Sequence, residues 1–393
     1  MDALMLPLNW QRVRLGDIAE INPPTIIPNV FYYIDLENVE KGQLLNKQLM
    51  TKNKAPSRAR RLLSKNDILY QLVRPYQRNN YFFTLNGNYV ASTGYAQIRT
   101  LQNPSFLYFA LHSNYFVNAV LDRCEGTSYP AINSNELKKC EVILPPLNEQ
   151  IAIANILSDL DRYLCALDAL ILKKEGVKKA LSFELLSQRK RLKGFNQAWQ
   201  KVRLGTYKYR RGSFPQPYGN PRWYSDNGMP FVQVYDVGEN FKLTQKTKQK
   251  ISKIAQPMSV FVPKNSVIIT LQGTIGRVAL TQYDCYCDRT ILIFDNNTLN
   301  DVNKYFFVLS LFTKFEEEKR KADGSIIKTI TKQTLKDFEI PLPPLNEQIA
   351  IANILSDVDN EIISLKNKKR QFENIKKALN HDLMSAKIRV LKK

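Results

Sequence analysis

Two stretches of the chain place apolar residues at alternating spacings of three and four. In the first they fall at Ile153, Leu157, Leu160, Leu164, Leu167 and Ile171, and in the second at Ile351, Leu355, Val358, Ile362, Leu365 and Phe372. This is the seam of a coiled coil. It shifts near Gly176 and Asn374, then resumes at Val177, Leu181 and Leu185, and at Ile375, Leu379 and Leu383. Pro145-Pro146 and Pro343-Pro344 bar helix upstream, and Asn148 and Asn346 are placed to cap the helices that begin there. About 45 helical residues at 1.5 Å each predict a rod of roughly 65–70 Å. An apolar seam of that length needs a partner, and the chain contains two. Self-similar surfaces pair most simply about a two-fold axis, which makes the pair antiparallel.

The remaining segments have a different pattern. Short runs rich in β-branched and aromatic residues, set between turn signals, predict strands at Val30–Ile34, Asp67–Val73 and Tyr89–Ala91. In the second half Pro230–Val234, Ser266–Thr270 and Thr290–Phe294 play those parts. Helices are expected over 104–121 and 302–320. Each region then passes a glycine turn, Gly126-Thr127-Ser128 or Gly324-Ser325-Ile326, at an offset of 198 residues.

The same offset governs the long helices. LPPLNEQIAIANILSDLD at 144–161 recurs as LPPLNEQIAIANILSDVD at 342–359, with only Leu160 against Val358 changed. Trp10-Gln11-Arg12-Val13-Arg14-Leu15-Gly16 recurs as Trp199-Gln200-Lys201-Val202-Arg203-Leu204-Gly205. Between these repeats the two mixed regions differ almost entirely. The expected organisation is a first globular domain at 1–145, a spacer helix at 146–195, a second domain at 196–343 and a second spacer helix at 344–393. The fold class is α+β: two pseudo-two-fold-related, β-rich mixed domains separated by two long antiparallel coiled-coil helices.

Charge narrows the partners. The 393 residues carry 57 Lys+Arg against 36 Asp+Glu, a formal net charge of +21, which attracts polyanions and above all nucleic acid. The absence of an eighteen-residue apolar run argues against a membrane span. The N-terminus, MDALMLPLNWQRV, lacks the basic start and long apolar core of a signal peptide. Five cysteines and two histidines without ligand spacing predict reduced thiols, no metal site and a cytoplasmic protein.

The W-x-x-V-x-L-G opening, the YIDLENV stretch from Tyr33 to Val39, the LPPLNEQ helix start and the two-fold repeat resemble the specificity subunits of type I restriction-modification systems. The resemblance covers essentially the whole chain. It implies a non-catalytic subunit whose two target recognition domains bind the halves of a bipartite, asymmetric site in double-stranded DNA. The helices would set the gap and dock two modification subunits, adenine N6-methyltransferases, and restriction subunits would join for ATP-driven translocation and cleavage. It places S-adenosylmethionine, ATP and Mg2+ on the partner subunits and no cofactor on this one. The second domain's start, GTYKYRRGSFP, departs from the more typical GDIAEINPP of the first.

Base reading needs forked donors and acceptors, backed by cations on phosphates. In the first domain the densest cluster is Gln71, Arg74, Tyr76, Gln77, Arg78, Asn79 and Asn80, with Arg74 and Arg78 the expected base readers. Ser92, Thr93, Gly94 and Tyr95 form a second polar loop, and Thr127, Ser128 and Tyr129 a third. Lys54, Arg58, Arg60 and Arg61 suit phosphates. In the second domain the candidates are Gln272, Thr274 and Arg277, Asp288 and Arg289, and Ser325 and Lys328, with Tyr209, Arg210, Arg211, Arg222 and Tyr224 as a basic, aromatic loop. Lys173-Lys174, Lys178-Lys179 and Arg189-Lys190-Arg191 are either a solvated helix face or contacts to the DNA gap. Leu147, Asn148, Glu149 and Gln150, with Leu345, Asn346, Glu347 and Gln348, start the helices and are the candidate docking surface.

Two other readings are open at this point. Asn22-Pro23-Pro24 is similar to a methyltransferase motif, but Thr25 stands where an aromatic must stack a flipped base, and no P-loop is present, so no catalytic residues are assigned. A coiled-coil adaptor with two protein-binding heads fits the architecture, but not the charge or the Arg/Gln/Tyr loops.

Overall fold

The computed structural model describes residues 6–126, 128–238, 240–273, 275–321 and 332–390. The chain divides into two compact units, Met1–Leu170 with Leu365–Lys393, and Ile171–Ser364. Each spacer segment is therefore shared: one part of each long helix belongs to one unit and the rest to the other. The fold class is the expected α+β.

In the first unit, one sheet runs in the order Gln48–Thr51, Val30–Ile34, Tyr89–Ser92, Ala59–Leu62. Tyr89–Ser92 lies parallel to Val30–Ile34 and antiparallel to Ala59–Leu62. A second sheet, Ala19–Ile21, Tyr95–Thr100, Ile68–Gln71, Tyr81–Phe82, is antiparallel throughout. Gln11–Arg14 pairs with Glu141–Leu144, so the first repeated phrase is hydrogen-bonded to the start of the other.

The second unit repeats these three sheets strand for strand. Gln249–Ile251, Tyr224–Val232, Cys285–Cys287 and Val260–Val262 form one sheet, again with a single parallel pair, Tyr224–Val232 beside Cys285–Cys287. Tyr209–Arg211, Ile291–Phe294, Val267–Thr270 and Val278–Leu280 form the other. Gln200–Arg203 pairs with Glu339–Leu342 in the register of its counterpart. Almost no sequence is shared between these regions outside the repeats, but the buried pattern is. Ile68 and Tyr70 pack into the core shared with the helices, while Leu69 packs on the opposite side of its strand. Val267 and Ile269 do likewise, with Ile268 opposite. A strand buried on both faces shows as a continuous apolar run, because successive side chains enter different cores.

The expected strands are present with some ends shifted: Asp67–Val73, Ser266–Thr270 and Thr290–Phe294 are shortened, Tyr89–Ala91 runs on to Ser92, and the Pro230–Val234 run stops at Val232 as the end of a longer strand, Tyr224–Val232. The expected helix over 104–121 is two helices, Pro104–Ala110 and Asn114–Leu121, and Ser113 restarts the second by accepting from Phe116 N at 3.2 Å. Its counterpart is one helix, Lys304–Lys321.

The long helices span Leu147–Leu186 and Leu345–Met384, 40 residues each, about five short of expectation. They begin directly after the prolines, so Asn148 lies inside the first turn instead of capping it. The start of each helix belongs to a globular core: Ile153, Ala154 and Leu157 to the first unit, Ile351, Ala352 and Leu355 to the second. The end of the opposite helix completes each core. Leu383 and Met384 close the first, and Leu185 and Leu186 close the second.

Within each unit the helix segments run antiparallel. In the first, Asp161 pairs with Lys376 and Asp168 with Lys369 at 2.6 Å, with the Tyr163 and Phe372 rings 4.7 Å apart between them. In the second, Lys174 meets Glu361 at 2.8 Å and Lys178 meets Asp359 at 2.5 Å. Asp161–Lys376 and Asp359–Lys178 are one pair repeated at the 198 offset. Half-exposed pairs add little stability, but a slipped register would lose them, so they favour this alignment.

Candidate nucleic-acid interface

The polar loop after Ile68–Gln71 is largely engaged with itself. Pro75–Gln77 form a single tight turn flanked by Arg74 and Arg78, both left-handed at φ 55°. Such a backbone costs about 1–3 kcal/mol for a bulky residue and persists only where neighbours fix it. Here they do. Gln71, 4% exposed, donates from Nε2 to Gln77 Oε1 at 2.9 Å and accepts from Asn79 N at 3.1 Å. Asn80, 1% exposed, accepts from Gln71 N at 2.8 Å. Arg78 donates to His112 O at 3.0 Å and to Asn114 Oδ1 at 2.7 Å. Asn79 Oδ1 accepts from Lys41 N at 3.1 Å.

Three of these expectations are therefore corrected. Arg78 shapes the loop through both its terminal nitrogens and is not placed to read a base. Gln71 and Asn80 are buried with both ends of their amides bonded. Arg74 and Tyr76 remain on the surface. The Arg74 guanidinium stacks 4.2 Å from the ring centre of Tyr129, which is 62% exposed. Arg74 N donates to Pro130 O at 2.8 Å, and Val73 bridges Ala131. The fold thus joins the first and third predicted loops into one Arg74–Tyr76–Tyr129 surface, with Ser128 exposed beside it. Thr127 lies outside the described residues.

The second loop is tied to the basic segment, since Thr93 N donates to Arg58 O at 2.8 Å. Tyr95 is fully buried in the core and is not a surface contact, which corrects its place among the candidates. Arg58 is held by Asp35 and by Tyr33 Oη at 3.1 Å. Lys54 and Arg60 are exposed.

His112 supports the Arg74–Arg78 turn from below. Its Nδ1 donates to Tyr108 O at 2.7 Å, which leaves Nε2 to accept from Asn80 Nδ2 at 3.4 Å. Burial, reinforced by the nearby charges of Lys376 and Arg78, pushes the imidazole down to about 4. Its folded value thus lies below the unfolded one, so the unfolded chain binds the proton more readily. Stability contributed here is complete above about pH 6.5, is lost progressively as pH falls towards 4, and totals about 3 kcal/mol. Urea titrations between those limits are expected to show the loss in wild type and a flatter profile in His112→Gln. Identical slopes would remove His112 as the cause.

In the second unit, Thr274, Ser325 and Lys328 lie outside the described residues. Arg277 donates to Val237 O at 3.2 Å and Arg210 to Phe261 O at 3.0 Å, so both brace loops. Gln272 and Arg211 are exposed. Asp288 is buried, accepts from Thr290 N and Oγ1 at 2.8 and 2.6 Å, and also holds the Tyr218 hydroxyl. Arg289 is exposed and lies 5.3 Å from the Tyr218 ring centre. Tyr224 Oη donates to Tyr218 O at 2.7 Å, which makes it a support for that ring. Sequence reasoning missed Tyr218, together with Lys248 stacked 5.0 Å over the exposed Tyr235. Each unit thus presents an arginine laid on a tyrosine. The contact holds a guanidinium beside an aromatic face, a pairing that suits base edges and phosphates.

The repeated LNEQ residues occupy the base of each unit. Glu149, 2% exposed, accepts from Trp10 Nε1 at 3.0 Å and from Arg389 Nη2 at 2.9 Å. Glu347, 1% exposed, accepts from Trp199 Nε1 at 3.1 Å and from Arg191 Nη2 at 2.7 Å. Gln150 donates to Pro145 O and Gln348 to Pro343 O, each at 2.8 Å. These four side chains face inward, so a partner protein would meet Leu147, Ile151, Leu345 and Ile349, which are exposed. Arg191 sits in the same latch, and the reading of it as part of a solvated or DNA-facing run is corrected. Both latches depend on a reversal after each helix, where Gln188 and Ala386 turn left-handed at φ 60° and 57°.

No helix among the described residues is long and apolar enough to cross a membrane. The family model for the type I restriction modification DNA specificity domain matches residues 7–175 and 218–374. A putative type I restriction enzyme MjaX specificity subunit of Methanocaldococcus jannaschii is 29% identical over 271 residues, 66% of this chain and 62% of that protein. The type I restriction enzyme MjaVIII specificity subunit of the same organism is 23% identical over 423 aligned positions, covering 99% and 95%. The crystal structure of the HsdS subunit from Thermoanaerobacter tengcongensis superposes with a TM-score of 0.51 at 25% identity, over 98% of both chains.

Proposed function

Because the chain belongs to the type I restriction modification DNA specificity family and is a DNA-recognition subunit, we propose that each unit reads one half of a bipartite, asymmetric site in duplex DNA. The observation that carries this is the pairing of one sheet topology with two unlike sets of loops. A shared frame meets the same helical duplex, and unlike loops meet unlike sequences. Arg74, Tyr76 and Tyr129 read the first half-site, and Arg289, Gln272 and Tyr218 the second. Lys54, Arg60 and Arg211 hold phosphates. The antiparallel helices set the gap.

The chain supplies an address and no chemistry. Two adenine methyltransferase subunits dock at the repeated helix starts, through Leu147 and Ile151 in one copy and Leu345 and Ile349 in the other. They bring S-adenosylmethionine, and restriction subunits bring ATP and Mg2+ for translocation and cleavage in the cytoplasm. Mapping methylated adenines with and without this chain tests the reading. A two-part asymmetric motif is expected only when the chain is present, and an unchanged methylation map would overturn it.

A further inference from the structure

Away from the base-reading loops, the first unit holds a cleft of about 440 Å³ between the Asn22–Ile27 loop and the Lys52–Arg61 segment. Its lining is chemically two-sided. Pro23, Pro24 and Pro56 make an apolar wall, while Lys52, Arg60 and Arg61 supply three cations, and no carboxylate lines it. Elsewhere in the same unit several arginines are matched to carboxylates: Arg58 with Asp35, Arg99 with Asp67, Arg389 with Glu149. Arg61 has no carboxylate partner among the described residues. Its Nε is shut off from solvent and has no hydrogen-bond partner among the described residues. Arg60 gives only its Nε, to Ser57 O at 2.8 Å, among the described contacts.

Arg61 is only partly exposed, so its guanidinium loses part of its hydration; that is costly to a charge unless an anion meets it, and a neighbouring cation adds to the cost. Burial and Arg60 both act in that direction on Arg61. The missing component is therefore an anion with several acceptor oxygens, attached to a body that covers proline rings. The volume suits a molecule of nucleotide size and exceeds what a bare ion needs.

We propose that this cleft is a nucleotide phosphate site, with the phosphate on Arg61, Arg60 and Lys52 and the sugar or base against Pro23, Pro24 and Pro56. A backbone phosphate of bound DNA and a free nucleotide share this chemistry. The duplex arm of the assignment rests on the DNA-recognition reading above, and the free-nucleotide arm does not.

The full-length chain is titrated calorimetrically with dAMP and with inorganic phosphate, and its binding to a target duplex is followed over a salt series. Arg61→Met keeps the side-chain volume and removes the charge. It is expected to weaken dAMP binding at least about tenfold, as for loss of a charge-assisted hydrogen bond. If the natural occupant is a DNA phosphate, Arg61→Met also lowers the salt slope of duplex binding by about one and weakens all sequences alike. If the occupant is a free nucleotide, the salt slope is unchanged while dAMP binding is lost. Lys52→Met serves as an independent variant should Arg61→Met fail to fold. No dAMP or phosphate binding by wild type, together with an unchanged salt slope in both variants, overturns the assignment. Failure of wild type to bind any duplex would instead count against the DNA reading, and the dAMP titration would still decide the cleft.

Discussion

Replacing Arg389 by alanine is expected to cost the first unit about 3–5 kcal/mol, the penalty for stripping one partner from a buried ion pair. The size reflects the group left behind. Glu149 is 2% exposed, and after the substitution its carboxylate keeps only the Trp10 Nε1 bond in place of a two-nitrogen grip. Arg191→Ala leaves Glu347 in the same position and is expected to act on the second unit. Urea unfolding followed by hydrogen exchange assigns each loss to its unit. Adding Glu149→Gln to Arg389→Ala is expected to recover most of the stability, since a neutral amide no longer needs a cation. A loss below about 1 kcal/mol, in the range of an exposed pair, would show that the latch is not a buried charge pair.

Arg74→Ala is expected to reduce affinity for the cognate duplex by about 1–3 kcal/mol, with the whole effect confined to the first half-site. Arg74 is the arginine of its loop whose guanidinium lies 4.2 Å from the ring centre of the exposed Tyr129, with its backbone fixed by Pro130. Arg289→Ala is expected to do the same for the second half-site. Arg78→Ala is the internal contrast. It removes the bonds to His112 O and Asn114 Oδ1, so it lowers stability and leaves specificity intact. Binding measured across half-site variants distinguishes these outcomes. An equal loss on every sequence would make Arg74 a phosphate contact, and no loss would remove it from the interface.

Several features were legible before any fold was known, because they rest on local rules. The seam from Ile153 to Ile171 and its copy at Ile351–Phe372 follow the helical period, and the proline pairs fix where each helix begins. The buried strands at Ile68–Gln71 and Val267–Thr270 stand out as apolar runs. The site was less legible. Arg74 and Arg78 look alike in sequence, four residues apart around one turn, and only the position of His112 and Asn114 separates a structural arginine from a surface one. Tyr218 carries no local signal that places it against Arg289. The cap expected of Asn148 gave way because the helix starts immediately after Pro146.

The sequence by itself determined that there are two long helices with one repeated start, two basic mixed regions and an antiparallel means of pairing them, since period, proline and charge act between near neighbours. Only the tertiary structure decided that each unit is completed by the far end of the chain's other half. Glu149 and Arg389, like Trp199 and Glu347, are distant in sequence. A carboxylate takes its character from what surrounds it, so Glu149 and Glu347 look like exposed docking residues until Arg389 and Arg191 close over them, while Leu147 and Leu345 stay exposed.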